Sequence, residues 1–214
     1  MIVVSDMMGT LTTGSPVLGL NDWIRHHQSR LQANLHMAGM LAPYFLAKAG
    51  LMDIQEWAQS VMIDSLGWIH DATPEKMTAV AEWAVEHNLW AKRREDVVAR
   101  LAEHKQQGAQ VYIASSVFEP LIEPFARRIG VRMIGTPIEY KDGQARVAGE
   151  LLSQDRKIEQ VLSRVGVDCV DVAYGDTWMD IPLLEHAAHP VAVYPDAKLK
   201  AVAVQRGWEV LGER

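Results

Sequence analysis

Four short stretches of this chain carry residue types that could do chemistry together: Asp6-Met-Met-Gly-Thr-Leu-Thr12, Ser115-Ser116, Lys157, and Gly175-Asp176-Thr-Trp-Met-Asp180. Asp6, Asp176 and Asp180 offer oxygen ligands of the kind Mg²⁺ prefers. A carboxylate attacking a phosphate dianion meets charge repulsion, so it needs a divalent cation and an ammonium beside it. Lys157 could be that ammonium, keeping Asp6 ionised while balancing a transferring group. Ser115 and the backbone N–H groups after it, read as the start of a helix, would donate to phosphate oxygens. Taken singly, each residue has an ordinary use. Asp180 before Ile181-Pro182 could only cap a helix, Ser115 could serve a turn, and Lys157 could be a solvated surface charge. Asp6 is harder to place that way, because a carboxylate directly behind a buried strand needs a partner.

The elements around these residues explain why they should meet. Apolar runs without alternation recur at Ile2–Val4, Val111–Ala114, Val131–Ile134, Val170–Ala173 and Val191–Val193, as in parallel strands buried on both faces. Helical spacing fills most of the gaps, over Asp96–Gln107, Glu119–Ile129, Asp155–Val165 and Ile181–Ala188, the first three followed by glycine. Such alternation predicts an α/β fold, a Rossmann-like parallel sheet whose strand ends gather the four stretches at one edge. The span from about Gly14 to Trp90 breaks the rhythm. Asn21–Ala47, Asp53–Leu66 and Thr73–His87 are helical in period, which predicts an inserted helical cap over 14–90 and a core of 1–13 and 91–214. Asp142-Gly143 between Ile138 and Val147 predicts a hairpin.

The order Asp6, Ser115, Lys157, Asp176/Asp180, each near a strand end or helix start, resembles the haloacid dehalogenase superfamily, and within it the phosphoserine-phosphatase-like branch with a helical cap between the first and second motifs. The resemblance covers nearly the whole chain. It implies Asp6 as nucleophile, forming an aspartyl-phosphate later cleaved by water, with Ser115 and Lys157 as its catalytic partners. It also implies Mg²⁺ held by Asp6, the Met8 backbone carbonyl, Asp176 and Asp180. Gly9, Thr10, Ser116, Arg25 and Trp178 are the expected substrate contacts, and the expected partner is a small phosphorylated molecule.

One position departs from the pattern. Where the superfamily's phosphatases carry a second acid two residues after the nucleophile, this chain has Met8, whose thioether moves no proton. General acid–base help is worth roughly 10²–10⁴-fold, most of it with alkoxide leaving groups. Three alternatives stand. A cap residue such as His26 or His27 supplies the proton; the substrate needs no acid, as with an acyl phosphate or a phosphonate; or the protein binds metal and phosphate without turnover. A phosphonate-type hydrolase would call on a cap amine, Lys48 or Lys76.

Composition narrows the function classes. In 214 residues, 21 Lys+Arg against 27 Asp+Glu give a net charge of −6, which argues against a nucleic-acid partner. The single Cys169 and a start that meets Asp6 after four apolar residues lead to a cytoplasmic expectation. No uncharged stretch is long enough to span a membrane. The stripe Met37, Met40, Leu41, Tyr44, Phe45 reads mostly as cap core, and as an apolar lining if part of it faces the cleft. Oligomeric state is not legible.

Overall fold

The computed structural model describes residues 1–152 and 154–213, with the backbone alone described at positions 42, 54–56, 154 and 155. In chain order the elements begin with β1 (Ile2–Ser5), followed by α1 (Pro16–His27), α2 (Arg30–Lys48), α3 (Ile54–Leu66) and α4 (Pro74–Ala84). Next come α5 (Glu95–Gln106), β2 (Gln110–Phe118), α6 (Glu119–Ile129), β3 (Arg132–Thr136), β4 (Ile138–Lys141) and β5 (Gln144–Val147). The last part holds α7 (Gln154–Val165), β6 (Val170–Gly175), α8 (Ile181–Glu185), β7 (Ala187–Val193), α9 (Ala197–Arg206) and β8 (Glu209–Leu211).

Six strands form one parallel sheet in the order β3-β2-β1-β6-β7-β8. The α/β class expected from the sequence is therefore the class observed. Strand β1 lies in the middle, with β2 on one side and β6 on the other, so the chain reverses its direction of travel there. Open α/β sheets bind ligands at that switch point, outside the carboxyl ends of the strands. The bond from the Asp6 N–H to the Tyr174 carbonyl, 2.9 Å, ties the end of β1 to the end of β6.

Five helices, α1 to α5, lie between β1 and β2, and the starts of α1, α2 and α4 are written locally. Ser15 caps α1 ahead of Pro16, and Thr73 caps α4 ahead of Pro74. The helix expected over Asn21–Ala47 is two helices. Ser29 accepts from the Gln32 N–H at 3.3 Å and starts α2 afresh. The apolar spacing runs through this break, yet the two helices meet different partners: α1 packs mainly on α2 and α4, and α2 on α1 and α3. Helix α4 runs on into a π-helical turn (Val85–Leu89) and a 3₁₀ turn (Trp90–Lys92), which bring the chain back to the sheet. Leu20, Ile24, Met77, Val80 and Leu89 share one hydrophobic cluster with Val3, Val111 and Ile113 of the sheet and Phe125 of α6. The inserted helices are thus packed onto the core and not tethered to it by linkers alone.

Two elements differ from expectation near the site. Helix α8 stops at Glu185, and Ala187 already pairs with Val170, so β7 begins four residues before its apolar run. Exposed His189 and half-buried Pro190 hid that start. Pro190 is tolerated because β8 pairs only from Val191 onward. Strand β2 runs to Phe118, with a register irregularity between Ala114 and Phe118. Ser115 and Ser116 therefore sit inside an irregular strand and not at a helix start, since α6 begins at Glu119. The hairpin at Asp142-Gly143 is present as expected, both residues at positive φ, 52° and 72°, and its Gly143 carbonyl accepts from the Ala72 N–H of the insert.

Candidate active site

Asp6 follows β1, Lys157 sits in the first turn of α7, and Asp176 and Asp180 follow β6; all four are buried. The Lys157 ammonium donates to Asp6 Oδ1 at 2.8 Å and to Asp180 Oδ1 at 2.6 Å. Carboxylate oxygens of Asp6, Asp176 and Asp180 lie within 4.8 Å of one another. Three buried carboxylates against one ammonium leave the cluster short of positive charge. Burial pushes the Asp6 carboxyl up to about 6, against the lowering influence of Lys157. Lys157 moves the other way: burial alone lowers it, but the Asp180 and Asp6 carboxylates outweigh that and hold it above the ordinary lysine range. A divalent cation would supply the missing positive charge, and the all-oxygen donor set is the chemistry Mg²⁺ selects.

Backbone geometry fixes these side chains. Asp180 Oδ2 accepts from the Asp176 and Thr177 N–H groups, each at 3.2 Å, closing a capping box with Thr177. The cap expected of Asp180 on the helix at Ile181 is not made by its side chain, which turns back instead to the N–H groups before it through Oδ2 and to Lys157 through Oδ1. Thr10 Oγ1 donates to Asp176 Oδ1 at 3.1 Å. Gly9 takes φ +84°, and a Cβ there would fall 2.1 Å from Asp176 Oδ2. Only glycine lets the loop after β1 pass that close to the carboxylate.

A cleft of about 440 Å³ opens over this floor, lined in part by Asp6, Lys157, Asp180, Met8, Ser116 and Trp178. Of the contacts expected from the sequence, Ser116 and Trp178 border it, whereas Gly9 and Thr10 are outside its lining and lie against Asp176. Ser115 lies beneath, buried, its Oγ accepting from the Val117 N–H at 3.4 Å. Arg25 is elsewhere: it lines a separate depression with Asn21, Asp22, Met37 and His87 on the outer side of α1. His26 and His27 are also outside the cleft lining. Both rings pack on Trp83, and His27 Nδ1 bonds to the Trp23 carbonyl. Neither Lys48 nor Lys76 is in the described lining; Lys76 instead donates to the His70 carbonyl.

Two positioning residues went unread in the sequence. Asp196, behind β7, accepts from the Trp178 N–H at 3.1 Å and the Leu199 N–H at 2.7 Å, while its own N–H donates to the Asp176 carbonyl. It welds the loop after β6 to the start of α9. Its place after a strand end was a usable signal. Arg94 Nε donates to the Gly9 carbonyl at 2.8 Å and its guanidinium stacks over Tyr194, a pairing across sequence that no local pattern announces.

A sequence model of the haloacid dehalogenase-like hydrolases matches residues 3–185, from β1 through α8. The chain belongs to that family. Among similar members, a putative hydrolase of Mycobacterium leprae (strain TN) is 31% identical over 157 residues, 68% of this chain and 51% of its own length. Phosphoserine phosphatase SerB1 of Mycobacterium tuberculosis is 35% identical over 114 residues, 50% of this chain and 37% of that protein. The chain therefore spans about half or less of these relatives. Among solved structures, a Bordetella pertussis Tohama I protein of unknown function superposes with a TM-score of 0.78 at 21% identity, covering 99% and 97% of the two chains. A substrate-bound phosphoserine phosphatase complex gives 0.65 at 18%, covering 100% and 93%. At these identities the structural likeness shows the haloacid dehalogenase-like fold. No helix among the described residues is long and apolar enough to cross a membrane.

Proposed function

We propose that this haloacid dehalogenase-like chain is a Mg²⁺-dependent phosphatase of small organic phosphates, acting through Asp6. The observation that carries the reading is the buried Asp6 carboxylate, held by Lys157, with oxygens of Asp176 and Asp180 within 4.8 Å. Asp6, Asp176, Asp180 and the Met8 carbonyl would hold the ion. When bound, it would neutralise phosphoryl charge and favour ionised Asp6.

Lys157 fixes the orientation of Asp6 through Oδ1 and screens an incoming phosphate. Asp6 attacks phosphorus, the bond to the leaving oxygen breaks, and an aspartyl-phosphate forms. Water then attacks that intermediate, releasing phosphate and restoring the carboxylate. Ser116 and the N–H groups of the irregular segment after Ser115 bind phosphoryl oxygens, while Thr10 and Gly9 keep Asp176 in place. Residues 14–90 act as the cap that covers the cleft, with Trp178 at its edge. The leaving group departs without help from Met8 and takes its proton from solvent, so good leaving groups are preferred. The exposed Cys169 thiol accords with a cytoplasmic setting.

Beryllium fluoride tests the nucleophile. A fluorine NMR signal of a Mg²⁺-dependent adduct is expected in the native chain and lost in a folded Asp6→Asn variant; an adduct surviving the substitution refutes the assignment. A second reading, metal and phosphate binding without turnover, draws on Met8 at the cleft and on the placement of His26 and His27 against Trp83. It predicts the adduct but no hydrolysis of aryl or acyl phosphates.

A further inference from the structure

The side of the cleft facing the proposed reactive centre is nearly devoid of charge. Met8, Val17, Ala58, Met62, Leu152 and Trp178 line it, and Gln59 is the polar side chain that the insert contributes among the described residues. Lys157 is the cation in that lining, and its ammonium is engaged by Asp6 and Asp180. Asp196 is likewise occupied by the N–H groups of Trp178 and Leu199. Among the described lining residues a leaving group bearing a carboxylate would find no unengaged cation, Lys198 outside that lining being held over the Trp178 ring at 4.9 Å, and burying a carboxylate unpaired is costly. The insert's arginine at position 25 lies in the separate depression on the outer side of α1.

The apolar wall also continues beyond the cleft. A second cavity of about 450 Å³ among α1, α2 and α3 shares Val17 and Ala58 with it. Met37, Met40, Leu41, Tyr44, Trp57 and Val61 also line it, with Ser15 and Leu18 at the start of α1. Met37, Met40, Leu41 and Tyr44 belong to the helical stripe that the sequence left divided between cap core and cleft lining. Thioethers and aromatic faces adapt to a chain or ring without demanding a polar contact.

Resting on the phosphatase reading above, we infer that the substrate is a phosphate monoester of an uncharged, apolar alcohol or phenol, not of an amino acid. Its phosphate meets Asp6 and Lys157, and its hydrocarbon body runs along Val17 and Ala58 toward the second cavity. The leaving group is then recognised by buried apolar area, so affinity grows with its carbon count.

A series of n-alkylphosphonates from ethyl to octyl, which cannot be hydrolysed, reads this without relying on turnover. Titrated calorimetrically into the full chain with Mg²⁺, affinity should rise about three- to fourfold per methylene. The phosphonate analogue of phosphoserine should bind no tighter than ethylphosphonate. A flat series, or tightest binding of the phosphoserine analogue, overturns the inference. Ala58 is exposed, so Ala58→Asp should fold, as circular dichroism would check, and it should flatten the chain-length slope; an unchanged slope in the folded variant also overturns it. Mg²⁺-dependent phosphate release from p-nitrophenyl phosphate, measured on the same preparation, judges the underlying reading separately. Turnover with a flat series defeats only the substrate class, and a steep series without turnover defeats only the hydrolase.

Discussion

Floor and roof of the cleft hold their side chains by different means. On the floor, Asp6, Lys157, Asp176 and Asp180 are buried on strand ends and a helix start, and bonds to Thr10, Thr177 and backbone N–H groups fix them. Over the roof, α1, α2 and α3 offer thioethers, aliphatics and aromatics with few directional bonds, and Leu31, Leu35, Phe45 and Leu51 of this region are exposed. Reaction geometry tolerates little error, which polar bonds in a low dielectric enforce. Binding an apolar body needs area and adaptability, which a helical insert supplies cheaply. Change can therefore accumulate overhead while the floor stays constrained.

The floor should fail abruptly. Asp6→Asn removes the proposed nucleophile, and kcat is expected to drop by at least about 10⁴-fold, read by phosphate release from an aryl phosphate. Retention of a tenth of the activity would mean the floor is not where bonds change. Lys157→Met leaves Asp6 and Asp180 buried without their ammonium, and destabilisation of about 3–5 kcal/mol is expected in metal-free urea melts. Millimolar Mg²⁺ should recover part of it, because an ion that binds the folded state stabilises by mass action. Equal losses with and without Mg²⁺ would argue that the carboxylates do not form a cation site.

Met8 stands where floor and roof meet, and its substitution sharpens the comparison. Met8→Asp should raise kcat for alkyl phosphates by about 10²-fold and for aryl phosphates by much less, since poor leaving groups gain most from an acid. Equal gains would show that leaving-group protonation is not the deficit. The smallest effect concerns pH in the metal-free chain. The Asp6 carboxyl sits at about 6, above its ordinary 3.8, so folding favours its protonated form. That contribution is complete below about pH 3.8 and is lost as pH rises through about 6. The melting temperature of the native chain relative to Asp6→Asn should fall over that window in chelator. Saturating Mg²⁺, which favours the ionised form, should reverse the trend. A pH-independent difference would place Asp6 in contact with solvent.

Much of this was legible along the chain because the relevant signals are local. Five of the six sheet strands show as apolar runs, and β8 was missed because Glu209–Leu211 is a short edge strand that is largely exposed. Gly9, Thr10 and the four acidic and basic floor residues lie in short motifs, so they could be singled out before their distances were known, although Gly9 and Thr10, expected to touch substrate, instead lie against Asp176. The break at Ser29 was not read, because a cap inside a continuous apolar stripe changes helix direction without changing the period.

By itself the sequence determined the α/β order, the carboxylates behind β1 and β6, the departure at Met8 and the presence of an inserted helical segment. Those follow from residue type, spacing and backbone preference, which act within a few positions. Only the tertiary structure decided that Arg25, His26 and His27 face away from the cleft, that Arg94 and Asp196 brace it, and that Met37, Met40 and Tyr44 line a cavity. A helix period says which residues share a face. It cannot say what that face meets, because the answer depends on crossing angles and packing among elements far apart in the chain.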